Sequence, residues 1–325
     1  MLCLSAREHR TLREGGTMRA LVEATVAALV WLVLIPPASA QQWELRRLGF
    51  TQNFNAIHFP TKEHGWIVGD GGLILHTPDR GVSWQVQTSS VRTNLNDVFF
   101  INRRRGWIVG DGGVILMTTD GGQRWASVAS VVEEDLYSVW FHNEKRGWIV
   151  GADGVILFTD DGGRSWVRQI SGTDEYLYHL HFKTENLGWI VGSRGTILYT
   201  ENGGRNWTKQ SSGTQNDLFR VYFRDKKRGW ITGSRGLILH TTDGGKTWVP
   251  LPSGVEQILL GVTFRKKEGW IVGWEGTILH SPDEGRTWRR VPAPTRERIY
   301  AIVMRDDREG FAIGRNGLML VYRRP

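Results

Sequence analysis

The stretch that decides the fold is GWIVGDGGLILHT, from Gly65 to Thr77, followed by PDRGVSW, from Pro78 to Trp84. The same phrase returns along the chain with a period of 41 residues, except for one step of 40. A repeat of this length indicates a propeller or a solenoid, in which each repeat buries its apolar faces only by packing on its neighbours. The later copies of the opening dipeptide are Gly106-Trp107, Gly147-Trp148, Gly188-Trp189, Gly229-Trp230, Gly269-Trp270 and the altered Gly310-Phe311.

One repeat reads as four short strands joined by turns. In the second copy we predict strands at 95–100, 106–109, 114–118 and 125–130, separated by polar or glycine-rich turns. The two middle strands are apolar on both faces, which requires cover on both sides. Blades of a propeller receive that cover because each lies between two others, whereas the sheets of a solenoid have an inner and an outer face. We therefore predict an all-β propeller of four-stranded antiparallel blades.

The two ends of the repeat region predict how the ring closes. The seventh copy stops after its third strand at Tyr322, while residues 41–48 carry a solitary fourth-strand pattern with Trp43 in the anchor position. Pairing of this N-terminal strand with the last copy removes both free edges of an open ring. The sequence thus predicts seven blades, the last of them completed by the N-terminal strand.

Residues 1–40 are expected to be an export-signal region. Met18, a candidate start, precedes an apolar run of 12 residues and then the small-residue site 38–40. We expect cleavage after Ala40, which leaves residues 41–325 as a single propeller domain. The apolar run is shorter than the roughly 20 residues that normally cross a bilayer, so an uncleaved anchor is the lesser alternative.

Composition limits the classes of partner and cofactor. The formal net charge is +8, with the basic residues scattered through predicted turns and no recognisable nucleic-acid-binding module. The one cysteine, Cys3, lies in the signal region, so the exported chain has no disulfide and no cysteine metal site. The histidines show no metal-ligand spacing. We expect no cofactor, no metal, no nucleic-acid partner and a monomeric chain.

A second motif, Thr-x-Asp-x-Gly-x-x-Trp, lies between the third and fourth strands of six copies. It resembles the Asp-box hairpin of sialidase-like propellers. A carboxylate or amide at its third position accepts hydrogen bonds from the turn backbone, and glycine allows a positive φ. An asparagine in one copy favours this structural role over calcium binding or catalysis, which remains the alternative. The predicted structural residues are Asp79, Asp120, Asp161, Asn202, Asp243 and Asp283.

Taken together, the Gly-Trp-Ile-Val-Gly phrase, the Asp-box turns and the export signal resemble the photosystem II assembly and stability factor family of cyanobacteria and plastids. The resemblance covers residues 41–325. It implies a lumenal or periplasmic propeller that acts without catalysis and binds newly made reaction-centre subunits, notably the D1 precursor. The chain departs from the cyanobacterial pattern because no lipobox cysteine lies near Ala40. We therefore expect an assembly factor for a membrane-associated complex, in the periplasm, in a compartment like the thylakoid lumen, or outside the cell.

The resemblance also implies an arginine-rich surface for the protein partner. The turns between second and third strands share a face with the connections into the first strands, and arginine enters them in the later blades. Arginine suits a protein partner because its planar guanidinium pairs with carboxylates and stacks on aromatic rings. Solvated turn residues without a partner are the equal alternative. The predicted partner-binding residues are Arg194, Arg220, Arg235, Arg296, Arg298 and Arg315.

The opposite face carries basic runs in the turns between first and second strands. Three of them lie at 103–105, 226–228 and 265–267. A charge run before a buried strand is usually a solvated hairpin, and we interpret these runs in that way. A surface for contact with anionic lipid is the alternative.

An enzyme would require several chemically complementary side chains in one pocket. His179 and Arg220 fall at the same first-strand position as Asp97, which indicates a polar central channel but not a catalytic site. Tyrosine recurs at another strand position, at Tyr137, Tyr178 and Tyr300, as repeat inheritance explains. We predict no catalytic residue. A carbohydrate-active propeller, either a sialidase-like glycosidase or a glycan-binding protein, is the alternative function.

Overall fold

The computed structural model describes residues 42–324, and in this range the chain forms seven four-stranded antiparallel sheets. Each sheet is a meander in which strands adjacent in sequence pair with one another, which is the blade of a propeller. The first strand of every blade contacts the first strands of both neighbouring blades, so the ring is closed. The predicted all-β, seven-bladed propeller is confirmed, while the predicted export signal at 1–40 lies outside the described residues.

The first strand of each blade lies innermost, against the central channel. Its side chains alternate between the channel and the packed space between blades, because successive residues of a strand point to opposite faces. The pairing of each first strand with the second strand shifts register by one residue after the strand's first residue. In blade order the first strands are Phe54–His58, Leu95–Phe100, Leu136–Phe141, Leu177–Phe182, Leu218–Phe223, Leu259–Arg265 and Ile299–Met304.

The second strand carries the Gly-Trp phrase and is buried along its whole length in the first five blades. Both of its faces are covered because each blade is enclosed by two others, and this explains why its residues do not alternate between apolar and polar. In blade order the second strands are Gly65–Gly69, Gly106–Gly110, Gly147–Gly151, Gly188–Gly192, Gly229–Gly233, Glu268–Gly273 and Glu309–Gly314.

The third strand is also largely buried and ends in the threonine or serine that opens the Asp-box motif in six blades. Its leading isoleucine and leucine pack in the core between blades. In blade order the third strands are Ile74–Thr77, Ile115–Thr118, Ile156–Thr159, Ile197–Thr200, Ile238–Thr241, Ile278–Ser281 and Leu318–Arg323.

The fourth strand is the short outer edge of the blade, and most of its residues are exposed. Short edges offer few unpaired backbone groups to other chains, which limits edge-to-edge association. The fourth strands of blades 1 to 6 are Gln85–Gln87, Ala126–Ser127, Val167–Gln169, Thr208–Gln210, Val249–Leu251 and Arg289–Arg290, and that of blade 7 is the N-terminal strand Gln42–Arg47.

Blade 7 is formed from both ends of the described chain. The N-terminal strand pairs antiparallel with the last strand, with Trp43 opposite Tyr322. The Trp43 ring is buried and lies 5.6 Å from Trp270 and 5.3 Å from Tyr322, measured between ring centroids. Closure by the N-terminal strand is therefore confirmed, and an aromatic cluster packs behind the seam.

Adjacent blades are joined by stacked aromatic rings. The Trp66 ring of blade 1 lies 3.6 Å from the Phe100 ring of blade 2, and Trp107 lies 3.4 Å from Phe141 of blade 3. These tryptophans are completely buried, so each removes a large apolar area from water. Similar ring pairs join the following blades at Trp148–Phe182, Trp189–Phe223 and Trp230–Phe264.

Helical structure in the described range is limited to four single turns between second and third strands. Between Gln42 and Arg324, no helix has the length and apolar composition needed to span a bilayer. The four turns are 3₁₀ segments at Asp70–Gly72, Asp111–Gly113, Ser193–Gly195 and Arg315–Gly317.

Candidate partner-binding face

The ring has two faces with different turns. On the first, which we call the turn face, the turns between second and third strands meet the connections into the first strands, as when the Asp70 amide donates to the Asn53 carbonyl at 3.1 Å. On the second, the box face, the Asp-box turns meet the turns between first and second strands, as when the Gly121 amide donates to the Arg104 carbonyl at 2.8 Å. The Asp-box residues therefore lie on the face opposite to the arginines that were predicted in the turns.

Each predicted Asp-box residue accepts hydrogen bonds from its own turn. In blade 1, Asp79 accepts from the Thr77 hydroxyl and from the Ser83 amide, each at 2.8 Å, and the Gly81 amide donates to the Thr77 hydroxyl at 2.8 Å. Hydrogen bonds from Ser83 are the main cause that lowers the pKa of Asp79 to about 2. Equivalent bonds are made at Asp120, Asp161, Asn202, Asp243 and Asp283.

The box turns also connect neighbouring blades. The indole of Trp107 in blade 2 donates to the carbonyl of Gly162 in the box of blade 3, at 3.1 Å. A Cβ atom at the following Gly163, where φ is +82°, would come 2.5 Å from that indole nitrogen. The repeat pattern alone does not reveal this contact, because its partners are 55 residues apart. Trp189 makes the same bond to Gly244, and Trp230 donates to the carbonyl of Gly285, one position later in the box of blade 6.

The basic runs of the box face are partly neutralised by acids of the next blade. Arg105 pairs with Glu144 at 3.2 Å, and Arg146 pairs with Glu185 at 3.6 Å. Exposed pairs of this kind contribute little stability, about 0–1 kcal/mol each, but they reduce the positive charge that an anionic lipid surface would meet. Further pairs across blades are Arg228–Glu284 and Arg265–Asp307.

On the turn face, Arg194 and Arg235 occupy the left-handed position of their turns, with φ of +49° and +56°. Both side chains are exposed. The Arg194 guanidinium lies 3.4 Å from Glu175, and its backbone amide donates to Asp217 of the next blade at 3.0 Å. The two arginines therefore project from equivalent points of blades 4 and 5.

Arg296, Arg298 and Arg315 lie together where blade 7 meets blade 6. The Arg298 guanidinium carbon lies 3.8 Å from the centroid of the Trp274 ring, a cation–π contact that orders the side chain. The Arg315 amide donates to the Arg298 carbonyl at 3.0 Å, which places the two arginines side by side. Arg296 and Arg315 are exposed. This part of the turn face offers cations and an indole together.

Arg220 differs from the other five predicted arginines because the structure places it inside the channel and not among the turns. It is the third residue of its first strand, at the position that Asp97 occupies in blade 2. Burial lowers the pKa of Arg220 and the charge of Asp97 opposes that shift. In blade 2, Asp97 accepts hydrogen bonds from the Ser138 hydroxyl and the Val139 amide, each at 3.0 Å. Asp97 thus reaches across to the next blade, and the half-buried Arg220 at the same strand position lies away from the turns.

The channel histidines are held neutral. Burial is the main cause that lowers the pKa of His58 to about 4 and that of His181 to about 3, and the charge of Arg220 contributes to both shifts. His179 has its pKa lowered for the same two reasons. At neutral pH these imidazoles carry no charge. The predicted channel is therefore polar mainly through hydrogen bonds and through Asp97 and Arg220, where burial raises the pKa of Asp97 and lowers that of Arg220.

Around the channel mouth on the turn face, blades 1 and 2 carry asparagine at the second position of the first strand. The Asn55 amide donates to Asp70 at 2.9 Å and to the first carbonyl of the next blade at 3.0 Å. Asn96 makes the equivalent bonds to Asp111 at 2.8 Å and to the following blade at 3.0 Å. This part of the mouth is a closed network of amides and carboxylates.

Blades 3 and 4 carry tyrosines at that same position, Tyr137 and Tyr178. Burial is the first cause that raises the pKa of each phenol to about 12, and neighbouring carboxylates add to it. A nucleophilic phenol requires a lowered pKa or an adjacent base, so these shifts oppose activation. Within residues 42–324 there is also no group of three or more His, Cys, Asp or Glu side chains placed to hold a metal ion.

Comparison with known proteins was made at the level of sequence and of structure. The family model described as "Photosynthesis system II assembly factor YCF48" matches the chain in overlapping segments that together extend across the propeller. A search of curated proteins gave no match. The matched segments are residues 35–132, 87–172, 124–216, 169–256, 210–297 and 258–323.

Solved structures with the same fold include two described as YCF48. The structure "YCF48 bound to D1 peptide" is 25% identical, with a TM-score of 0.76, and the match covers 89% of this chain and 100% of that one. "YCF48 from Cyanidioschyzon merolae" is 22% identical, with a TM-score of 0.74 and coverage of 86% and 98%. The WD40 propeller domain of Doa1 is 13% identical, with a TM-score of 0.72 and coverage of 88% and 98%. At these lower identities the second and third structures establish the fold alone.

Proposed function

The chain belongs to the family of the photosystem II assembly factor YCF48, and from this membership we propose that it is a non-catalytic scaffold that binds a subunit of a membrane-associated complex on its turn face. The similar structure with a D1 peptide is of a YCF48 protein, and it supports a peptide segment as the class of partner. The expected export signal supports action in the periplasm or in a compartment like the thylakoid lumen, as a monomer.

The observation that carries this proposal is the kind of residue placed in the left-handed turn positions. Blades 1 and 2 use glycine there, at Gly71 and Gly112 with φ of +67°, whereas blades 4 and 5 use Arg194 and Arg235. An L-residue in this conformation costs about 1 kcal/mol relative to its usual backbone states. The same position holds other non-glycine residues in blades 3, 6 and 7, so the turn geometry accepts different side chains and does not require arginine. Two exposed arginines at equivalent points of adjacent blades support a role in recognition.

The arrangement of the other turn arginines fits a peptide partner. Arg298 stacks on Trp274, and Arg315 lies beside it, so two cations and an indole lie together on blades 6 and 7. A guanidinium pairs with carboxylates through two parallel hydrogen bonds and keeps its faces free for aromatic rings. A segment with acidic and aromatic side chains is the chemistry that this surface would recognise.

The test is a charge reversal on one face at a time. We expect the triple variant Arg194→Glu, Arg235→Glu, Arg315→Glu to bind a labelled D1 peptide about tenfold or more weakly than the wild type in an anisotropy titration, because attraction becomes repulsion. The matched control, Arg103→Glu, Arg104→Glu, Lys226→Glu, makes the same change of charge on the box face.

The control variant should bind as the wild type does, and both variants should unfold at nearly the wild-type temperature. If both variants lose the same affinity for the peptide, the effect comes from the overall charge and not from one face. If the turn-face variant loses no affinity, the turn face is not the binding surface. Turnover of a sialidase substrate by the wild-type protein would contradict the non-catalytic part of the proposal.

A further inference from the structure

Three tyrosines form a contiguous cluster at the channel mouth on blades 3 and 4. The Tyr137 ring centroid lies 5.8 Å from Tyr178 and 6.4 Å from Tyr176, and Tyr176 lies 6.3 Å from Tyr178. The angles between the ring planes range from 44° to 81°, so the rings present their faces in different directions. Tyr176 is 46% exposed. Phe219 of blade 5 extends the cluster, 5.3 Å from Tyr178.

The propeller fold does not require aromatic rings at these positions. In blades 1 and 2 the place of Tyr137 and Tyr178 is taken by Asn55 and Asn96, each of which bonds to its own turn and to the next blade. A phenol at this position cannot replace the amide that makes both bonds. Blades 3 and 4 therefore lack these structural bonds and carry partly exposed aromatic surface instead. Such an exchange supports a binding role, because exposed aromatic clusters are typical of interaction sites.

The surroundings of the cluster are acidic. After burial, the negative charge of Asp217 is the next cause that raises the pKa of Tyr178, and Glu175 also contributes. Asp135 has the same effect on Tyr137. No cationic side chain is among the causes that shift the pKa of either phenol. The aromatic faces thus lie in a region of negative potential.

Glu175, one of these carboxylates, has a cation of the chain as its partner. Arg194 pairs with Glu175 at 3.4 Å and keeps 76% of its side chain exposed. Among residues 42–324, no lysine or arginine lies over the face of a tyrosine in the cluster, whereas Arg298 lies over Trp274 on the other side of the mouth. The cluster therefore has the ring faces and the negative charge of a cation–π site without a cation from the chain itself.

We propose that Tyr137, Tyr176 and Tyr178 form a binding site for the cationic side chain of an arginine or lysine in the partner protein. The site rests on the proposed function in one respect, since it assumes a protein partner on the turn face. Charge complementarity selects the occupant, because a cation over an aromatic face near carboxylates is attracted by both. The partner segment then carries a basic residue over blades 3 and 4 and acidic residues toward the arginines of blades 6 and 7, which fixes its direction across the channel mouth.

The experiment compares two short peptides that differ in one side chain. Both have carboxylates at one end, and the other end carries either an arginine or citrulline, which has nearly the same shape and no charge. A cation–π contact contributes about 1–2 kcal/mol, so we expect the wild-type protein to bind the arginine peptide about 5- to 30-fold more tightly in a calorimetric titration. The double variant Tyr176→Ala, Tyr178→Ala should bind the two peptides with equal affinity, so that the ratio of their affinities falls to about one.

Two further variants separate recognition from structure. Tyr178→Phe keeps an aromatic face and should keep most of the preference, while Tyr300→Ala changes the same strand position in blade 7 and should leave it unchanged. If the double variant unfolds at a much lower temperature than the wild type, Tyr176→Ala alone is used in its place. The Tyr176 ring is exposed, so its removal should disturb the core little. Equal affinity of the wild-type protein for both peptides, or an undiminished preference in the tyrosine-to-alanine variants, would overturn the proposal.

The outcome is distinguishable from failure of the proposed function. If the turn-face arginines do not bind the partner, the variant with Arg235→Glu and Arg315→Glu binds both peptides as the wild type does, yet the preference for arginine over citrulline remains. If only the tyrosine site is wrong, that variant loses affinity for both peptides equally and no preference exists in any variant.

Discussion

The turns on the two faces of the ring differ in how much they vary from blade to blade. On the box face, six blades repeat one hairpin with one set of hydrogen bonds, from Asp79 in blade 1 to Asp283 in blade 6. On the turn face, the same structural position is glycine in blades 1 and 2, Arg194 in blade 4 and Glu275 in blade 6. Repetition on one face and variation on the other indicate different demands on the two surfaces.

The difference shows how to separate structure from recognition in a repeat protein. Most box turns are constrained twice, by their own Asp or Asn side chain and by an aromatic ring of the preceding blade, so few residues fit. A turn-face position is constrained only by its backbone angle, and its side chain points into solvent. Positions that vary within an otherwise uniform repeat are therefore the better candidates for partner binding, and the following substitutions test this comparison.

The largest effect is expected from adding one methyl group to a box glycine. Gly163→Ala places a Cβ 2.5 Å from the Trp107 indole nitrogen, in addition to the strain of a positive φ. We expect the free energy of unfolding to fall by about 1–3 kcal/mol more than strain alone explains, because overpacking forces the stacked rings apart. Denaturant unfolding followed by tryptophan fluorescence measures the loss.

The matched control is Gly112→Ala on the turn face. Gly112 also has a positive φ, +67°, but a Cβ there would meet no atom within 4 Å. The free energy of unfolding of this variant should fall only by the cost of the backbone conformation, about 1 kcal/mol. If both alanine variants are destabilised equally, the claim that the box face is the more constrained of the two is wrong.

An intermediate effect is expected from the box carboxylates, and it depends on pH. Hydrogen bonds from Thr247 are the main cause that lowers the pKa of Asp243 to about 2. Because this folded-state value is below the unfolded value of about 3.9, the stabilisation is complete above about pH 4 and is lost as the pH falls toward 2. Asp243→Ala should cost about 1 kcal/mol at pH 7 through lost hydrogen bonds.

Asp243→Asn tests whether the charge of the carboxylate contributes to stability in addition to its hydrogen bonds. An amide already serves at Asn202, which accepts from the Thr200 hydroxyl and from the Asn206 amide at 3.0 and 3.1 Å. We expect Asp243→Asn to be nearly neutral at pH 7 and to lose less stability than the wild type between pH 4 and pH 2, as thermal unfolding across that range would report. An unchanged acid dependence would mean that the carboxylate charge does not contribute.

The smallest effect on stability is expected on the turn face, with the opposite sign. Arg194→Gly removes a side chain from a position with φ of +49°. Relief of strain exceeds the greater freedom of glycine in the unfolded chain, so we expect stability to rise by about 0.5 kcal/mol or to stay the same. Binding of a D1 peptide should weaken. A marked loss of stability in calorimetry would show that Arg194 has a structural role after all.

The closure of the ring was predictable because it depends on a count. Six full motifs, an incomplete seventh and one orphan strand around Trp43 leave a single way to pair every edge. Burial of both faces of the second strands could also be predicted from the sequence, since these strands show no alternation of polar and apolar residues. These features follow from strand periodicity and from the apolar content of each short segment.

The composition of the candidate site was less predictable. The notion that Arg220 joins the turn face fails because residues of a strand alternate in direction, and the third residue of the first strand points into the channel beside the next blade. The contact between Tyr137 and Tyr178 joins residues 41 positions apart, and that with Tyr176 depends on the angle between two blades. Tyrosine recurrence was visible in the sequence, but ring packing was not.

The sequence by itself determined the number of blades, their strand order, the seam at Trp43 and the repeated hairpins, because each of these is set by local periodicity and by the requirement that no strand edge stays unpaired. Only the tertiary structure decided which side chains meet across blade boundaries: the indole bonds to the box carbonyls, the position of Arg220 in the channel and the tyrosine cluster at its mouth. Such contacts depend on blade twist and on the distance between neighbouring sheets, which arise only when the ring is closed and are not encoded in any single repeat.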